Sequence, residues 1–235
     1  MNIIITGASS GIGFELAKRF AEIGNHNILA LSRNAKKLKD LKNACIRKNV
    51  EAHLYPIPFD LSAKEPFEDT LIPIIKQYVQ NIDIVINNAG HLVNAPFHNL
   101  SSTEIATMID VNFTGPVKLI KALMPILNAK AHVVNISSMG GFQGSVKFPG
   151  LSVYSSTKAA IACLTECLAE EYKDIDISFN CLALGSVQTE MLAKAFPNYN
   201  APVMPSEMAN FITDFALNGS KYFNGQVIPV SLSTP

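Results

Sequence analysis

The chain has 235 residues, 48 % apolar and 16 % charged, which excludes a disordered chain and supplies a large core. Lys plus Arg and Asp plus Glu are 19 each, so no basic stripe argues for nucleic acid, and a near-neutral surface tolerates self-association. No apolar run reaches the ~18 residues that span a bilayer, no leader pattern is read before the first strand-like residues, and four cysteines show neither metal spacing nor a disulfide framework; no membrane and no metal is expected, and the expected compartment is the cytoplasm.

Asn2-Ile3-Ile4-Ile5-Thr6 is a β-branched run, the pattern of a strand buried on both faces. Gly7, Gly11 and Gly13 follow, and an amphipathic helix is predicted from Ile12 to Ile23 with Leu16, Phe20 and Ile23 inward. Strand, glycine turn and helix in this order form a dinucleotide site. The glycines admit a pyrophosphate to the backbone at the helix N-terminus. Ser9, Ser10 and Ile12 share that loop.

The second strand, Asn27 to Leu31, ends in Ser32-Arg33, and a helix from Ala35 to Lys48 follows. An NAD-preferring site places Asp or Glu at this strand end to bind the ribose 2′-hydroxyl. Here there is no acid until Asp40. The Arg33 guanidinium can instead pair with a 2′-phosphate and Ser32 can add a donor, so NADP(H) is the expected cofactor, with NAD(H) possible.

A third strand near Ala52 to Ile57 leads to Asp60-Leu61. One helix is predicted from Pro66 to Val79, then a buried strand, Ile82 to Ile86, running into Asn87-Asn88-Ala89-Gly90. Ser101 and Glu104 form a capping box that opens a long helix, which Pro116 and Pro125 should bend or end. Asn112 sits inside it with poor helix propensity, so something should compensate it. A fifth strand, His132 to Ile136, ends in Ser137-Ser138, at a strand C-terminus where α/β sheets place ligands.

About fifteen residues rich in Gly and Ser then lead to a helix through Tyr154 toward Tyr172. Tyr154 and Lys158 are four residues apart, hence on one face. An ammonium beside a phenol favours the phenolate, which should bring the tyrosine toward the pKa of a general acid or base. Cys163 and Cys167 on the same helix read as core packing. A sixth strand spans Asp176 to Leu182 and Leu184-Gly185 ends it. Two helical pieces, Glu190 to Ala195 and Pro205 to Leu217, precede a last strand at Gln226 to Val230. The alternation argues for an α/β fold. It predicts one doubly wound, Rossmann-type parallel sheet of about seven strands, helices on both faces, in a single domain over 1–235.

Together these residues resemble the short-chain dehydrogenase/reductase family. Thr6-Gly7-Ala8-Ser9-Ser10-Gly11-Ile12-Gly13 is similar to its cofactor loop and Asn87-Asn88-Ala89-Gly90 to its strand-four motif. The resemblance runs from Asn2 to about Val230, and the final segment with Asn224-Gly225-Gln226 looks most like the 3-oxoacyl-carrier-protein reductase branch. It implies hydride transfer between a nicotinamide cofactor and a small carbonyl or alcohol. Tyr154 would exchange the proton, Lys158 would bias its pKa and bind the nicotinamide ribose, Ser138 would hold the substrate oxygen, and Asn112 would seat a water linking Lys158 to solvent. Asp60 with Leu61 would lie at the adenine, Asn88, Ala89 and Gly90 along the cleft, and Gly185, Val187 and Thr189 at the carboxamide.

The chain also departs from that pattern. Leu184 stands where the family usually has proline. The segment from Ser138 to Tyr154 is long, the one from Met191 to Pro202 is short, and Ser231-Leu232-Ser233 replaces a familiar Asp-Gly-Gly. These changes bear on substrate identity rather than on the reaction. His91 reads as a loop histidine. An extended-branch epimerase or dehydratase also uses Tyr-x-x-x-Lys, but Gly7, Gly11 and Gly13 at this length argue against it. The intact Asn112, Ser138, Tyr154 and Lys158 argue against an inactive dinucleotide sensor. A homodimer or homotetramer is expected through Met108 to Leu127 and Val153 to Tyr172, with Phe113, Leu119, Leu164 and Leu168 as candidate contacts.

Overall fold

A computed structural model describes residues 1–232; Ser233, named above with the C-terminal replacement, lies outside them. Seven parallel strands form one sheet: β1 (Asn2–Thr6), β2 (Asn27–Ser32), β3 (His53–Pro58), β4 (Ile82–Asn87), β5 (Leu127–Ser138), β6 (Ser178–Leu184) and β7 (Val227–Val230). Their order is β3-β2-β1-β4-β5-β6-β7. The order reverses between β1 and β4, and such a switch point opens a crevice at the carboxyl ends of the strands.

Both faces are covered, as a β-branched parallel sheet requires. Ile3 and Ile5 of β1 pack with Leu16 and Phe20 of α1 (Gly11–Ile23), Leu38 and Leu41 of α2 (Ala35–Lys48), and the buried side of α9 (Pro205–Asn218). Ile4, one residue out of phase, belongs to the other core. There it joins Phe67, Ile75, Leu119 and Phe179. Of the predicted inward positions in α1, Leu16 and Phe20 are fully buried, but Ile23 is 42 % exposed because it ends the helix beside Gly24. β3 carries Pro56 and Pro58, which an edge strand tolerates because its outer side has no ladder to donate to.

The single helix expected over Pro66 to Val79 is instead two single turns, α3 (Phe67–Thr70) and α4 (Ile72–Ile75). Pro73 has no N–H to continue α3, so the chain restarts. The capping box at Ser101 and Glu104 forms and opens α5 (Ser102–Ile109). The long helix expected after it is interrupted by a wide turn over Asp110–Thr114, in which Gly115 N–H bonds to Asp110 O, five residues back. Pro116 cannot donate to the Asn112 carbonyl, which favours the wider turn. α6 (Gly115–Leu123) follows and ends at Pro125.

α7 (Ser152–Glu171) carries Tyr154 and Lys158. Cys163 and Cys167 of α7 are both exposed, not core, because the sheet-facing positions of that turn go to Ile161, Ala162 and Thr165. Conversely Leu119 is fully buried against the sheet, so it is no surface contact, while Leu164 and Leu168 are half-buried. α8 (Glu190–Ala195) is as predicted, and α9 as well to within a residue.

Candidate active site

The carboxyl ends of the strands surround a cleft of about 770 Å³. Its floor is built by backbone geometry. Gly7 has φ +67°, and a Cβ there would lie 2.8 Å from Ala89 Cα. A Cβ on Gly13 would collide with Gly7 O and lie 2.6 Å from Asn88 Nδ2. The glycine turn is thus closed against the strand-four motif. Thr6 Oγ1 accepts from Ala89 N–H at 3.0 Å, and Asn88 Nδ2 donates to Thr6 O at 2.9 Å. Ser10 caps α1 without a side-chain hydrogen bond, so the first N–H groups of a 13-residue helix remain for an anion.

Gly7, Ser9, Ser10, Gly11 and Ile12 line the cleft; Gly13 does not, and its role is the close packing just described. At the end of β2, Ser32 donates to Ser9 Oγ at 2.7 Å and Arg33 is exposed beside the cleft. Asp60 and Leu61 line it as well. The Asp60 carboxylate accepts from Ser62 N–H and Oγ at 2.9 and 2.8 Å, so it also holds the turn after β3. Asn88, Ala89, Gly90, Gly185, Val187 and Thr189 complete the wall. A Cβ on Gly185 would sit 2.9 Å from Ser231 Cβ, so the residue after β7 closes that side.

Ser138, Tyr154 and Lys158 meet at the far end of the cleft. Ser138 Oγ accepts from Gly140 N–H at 3.2 Å, so its own proton can be donated to the Tyr154 phenol or to a substrate oxygen. Lys158 is buried and its ammonium donates to Ile136 O at 2.8 Å, which leaves two protons for the cleft. Burial pulls the lysine down to about 8. Tyr154 and Lys158 share a face, with Nζ 5.9 Å from the ring centroid. The expected lowering of the phenol is nevertheless not what this state has. Burial pushes Tyr154 up to about 12, and only the Ser138 hydroxyl pulls it back. One ammonium proton goes to a backbone carbonyl, and none is hydrogen-bonded to the phenol.

Asn112 does not line the cleft. It is 1 % exposed, and its carboxamide accepts from His91 N–H at 2.7 Å and donates to His91 O and Thr157 Oγ1 at 2.8 and 3.0 Å. These bonds compensate its poor helix propensity. They pin the loop after Gly90 to α7 one residue from Lys158. His91 is held by its backbone, and burial keeps its ring below the usual histidine range.

Leu92, Phe148, Leu151, Met191, Phe196 and Tyr199 also line the cleft and were not singled out from sequence. They lie in irregular segments or on a short helix, where no periodicity marks a buried face. The long Ser138–Tyr154 interval and the short Met191–Pro202 segment were the signals pointing to all of them but Leu92.

A family model described as short chain dehydrogenase matches residues 1–200. An uncharacterised oxidoreductase of Staphylococcus aureus strain MRSA252 is 31 % identical over 229 residues, covering 97 % of this chain and 95 % of that protein. A short chain dehydrogenase of Shigella flexneri complexed with NADP superposes with a TM-score of 0.87 at 25 % identity, covering 97 % of this chain and 95 % of that one. An Escherichia coli short chain dehydrogenase complexed with NADPH gives 0.86 at 25 % identity, with the same shares covered.

Proposed function

The chain belongs to the short chain dehydrogenase family, and on that premise we propose that it is an NADP-preferring carbonyl reductase, or the reverse alcohol dehydrogenase, with Tyr154 as its acid. Oxidoreductase chemistry through a nicotinamide cofactor comes with the family; the finer assignments are ours. The observation that carries them is one cleft lined by an uncapped helix N-terminus at one end and by Ser138, Tyr154 and Lys158 at the other.

The residues fit the cofactor. Free N–H groups of α1 and the glycine turn would take the pyrophosphate. Arg33 would pair with a 2′-phosphate, and Ser9 and Ser32 would add hydroxyls; no acid stands at the end of β2 to repel it. Once bound, the nicotinamide supplies or accepts the hydride. Ser138 donates its free proton to the substrate oxygen and fixes it. Tyr154, neutral at working pH, gives its proton to that oxygen as the carbonyl becomes an alcohol. Lys158, anchored to Ile136 O, would offer its two remaining N–H donors to the ribose and the phenol. Asn112 keeps His91 and Thr157 in register, which holds Lys158 in place rather than touching substrate.

Screening purified protein with NADPH and NADH against ketones, aldehydes, quinones and oxoacyl thioesters tests this reading. Oxidation of NADPH by a carbonyl substrate, at higher kcat/KM than NADH, supports it; no carbonyl-dependent oxidation of either cofactor contradicts it. Among the described residues no helix is long and apolar enough to cross a membrane, and a cytoplasmic site of action is inferred from thiols without a disulfide framework. We also infer a homodimer or homotetramer through α5 to α7, because Phe97, Ile109, Phe113 and Val153 line an open apolar groove there, with Phe97 69 % exposed. A monomeric mass by light scattering at micromolar protein would contradict that.

A further inference from the structure

The far end of the cleft is walled by Leu92, Phe148, Leu151, Met191, Phe196 and Tyr199. Three separate segments bring them together. Ala95 N–H donates to Gly150 O at 3.2 Å, joining the segment after Gly90 to the one before Tyr154. Asn94 Nδ2 donates to Ala195 O at 2.8 Å, joining it to the end of α8. The hydroxyls of Ser186 and Tyr199 are 2.9 Å apart and occupy each other. A Cβ built on Gly90 would lie 3.8 Å from Met191 Cε and 3.7 Å from Lys158 Nζ, so this rim stands over the reacting groups.

Among the described residues, the charges along the cleft belong to the proposed cofactor site or are paired with other groups. They are Arg33, Asp60, Lys158 and Glu190. Arg33 and Asp60 lie at the ends of β2 and β3, on the glycine-loop side. Lys158 is buried, bonded to Ile136 O and, on the reading above, has its other two N–H donors assigned to the ribose and the phenol; Glu190 pairs with Lys37 at 3.3 Å. The basic side chains of the rim segments do not line the cleft. Lys147 folds back onto Phe142 O and Ser145 Oγ at 2.6 and 2.9 Å, and Lys194 is exposed on α8. A carboxylate or phosphate held against the rim would lose its water and find no cation among the rim side chains, which disfavours binding. An alkyl or aryl group would instead bury apolar surface.

Resting on the oxidoreductase reading, we propose that the substrate is an uncharged, predominantly apolar ketone or aldehyde, and that Phe148, Phe196 and Leu92 set this choice. A substrate that differs only by a charge is therefore discriminated at the rim, not at Tyr154.

The test uses matched pairs: a 3-oxo acid and its methyl ester, with NADPH, and a series of 2-alkanones of increasing chain length. The expected result is that the ester exceeds the acid in kcat/KM by on the order of 100-fold, a loss of about 2.7 kcal/mol in transition-state binding for the acid, and that kcat/KM rises with chain length. Phe148 is 45 % exposed, so the chain tolerates a change there. Phe148→Arg should raise acid turnover and narrow the ratio at least tenfold, while Phe148→Ala should flatten the chain-length series. Acids reduced as well as esters by the wild type, or a ratio unmoved by Phe148→Arg in a folded variant, overturns the inference and leaves the hydride-transfer reading standing. No turnover of either member of any pair, with either cofactor, overturns that reading and the inference with it.

Discussion

At its glycine-loop end the cleft is made of main chain. Gly7 and Gly13 are closed against Ala89, Asn88 and each other with no room for one more carbon, and Thr6 and Asn88 lock strand to strand. At its other end the cleft is made of side chains on three separate segments, held by single hydrogen bonds from Ala95 and Asn94 and by the paired hydroxyls of Ser186 and Tyr199. The first kind of wall cannot adapt, so it specifies one ligand shape. The second can be rebuilt by a few substitutions without disturbing the sheet. Rigidity belongs to what the protein must always bind, and replaceable side chains to what sets its selectivity.

Tyr154 stands where the two ends meet, and its loss should have the largest effect. Tyr154→Phe keeps the ring and removes the proton, so turnover should fall by roughly 10²–10⁴ while NADPH binding is unchanged. Steady-state rates and a cofactor fluorescence titration check this. Comparable turnover in the Phe variant would remove Tyr154 from the chemistry. Next comes the rigid end itself. Gly13→Ala puts a methyl group on Gly7 O, a backbone atom that cannot swing away, so it should cost about 1–3 kcal/mol. Calorimetry should show a lowered Tm and a weakened cofactor, whereas Phe148→Ala at the adaptable end should leave both alone. Equal effects at the two positions would erase the contrast.

The same contrast decides what can be read from sequence. A backbone-built wall leaves residue signatures, because only glycine fits Gly7 and Gly13 and only a β-branched run fills β1. The parallel seven-stranded sheet, the glycine turn and the shared face of Tyr154 and Lys158 were legible for that reason. Side-chain walls leave none. Phe148 and Phe196 look like any apolar residue in a loop, and nothing before the fold is known says that Asn94 reaches Ala195. The two failures among the helices have local causes that propensity does not weigh: Pro73 splits one helix, and the wide turn at Asn112 answers Pro116. Cys163 and Cys167 were assigned to the core from their i, i+4 spacing on one helix, whereas α7 turns them outward. The charge state of Tyr154 depends on where the Lys158 ammonium finds an acceptor, which sequence spacing does not contain.

Arg33 probes the rigid end without touching its backbone. A hydrogen bond to a charged group contributes roughly 1.5–3 kcal/mol, so Arg33→Ala should reduce the NADPH over NADH preference by on the order of 10- to 100-fold. The ratio of kcat/KM for the two cofactors measures it. A wild type that favours NADH, or an unchanged ratio in the variant, removes Arg33 from the site. A smaller effect, felt by both ends alike, comes from His132 at the start of the well-packed part of β5. It is 2 % exposed; Nδ1 faces Ala216 O at 3.0 Å and Nε2 faces the Asn180 amide at 3.1 Å, a pairing that suits only the neutral ring. Burial lowers its pKa from 6.5, and does the same to His26. The unfolded chain therefore binds protons first. The stability is present in full above pH 6.5 and is lost as pH falls through the folded pKa, at about 1.4 kcal/mol per unit of depression. Tm should be level above pH 7 and fall as the pH drops below about 6.5; a Tm that stays flat on acidification contradicts this.

The smallest expected effect is the sharpest on the adaptable end. Asn94 is exposed and touches no reacting group, yet its amide is the side-chain hydrogen bond that holds the segment after Gly90 to the end of α8. Removing one exposed bond contributes about 0.5–1.5 kcal/mol at most. Asn94→Ala should therefore loosen the rim over Met191 and Phe196, raising KM for a long alkanone about 2- to 10-fold. Short alkanones do not reach that far along the rim and should feel it less, so the chain-length series should flatten. The Kd for NADPH should not move, because no bond from Asn94 reaches the glycine turn, β2 or Asn88. Both quantities are measured on one preparation. If KM and the cofactor Kd rise together, the two ends are mechanically one, and the division between a main-chain wall and a side-chain wall is wrong.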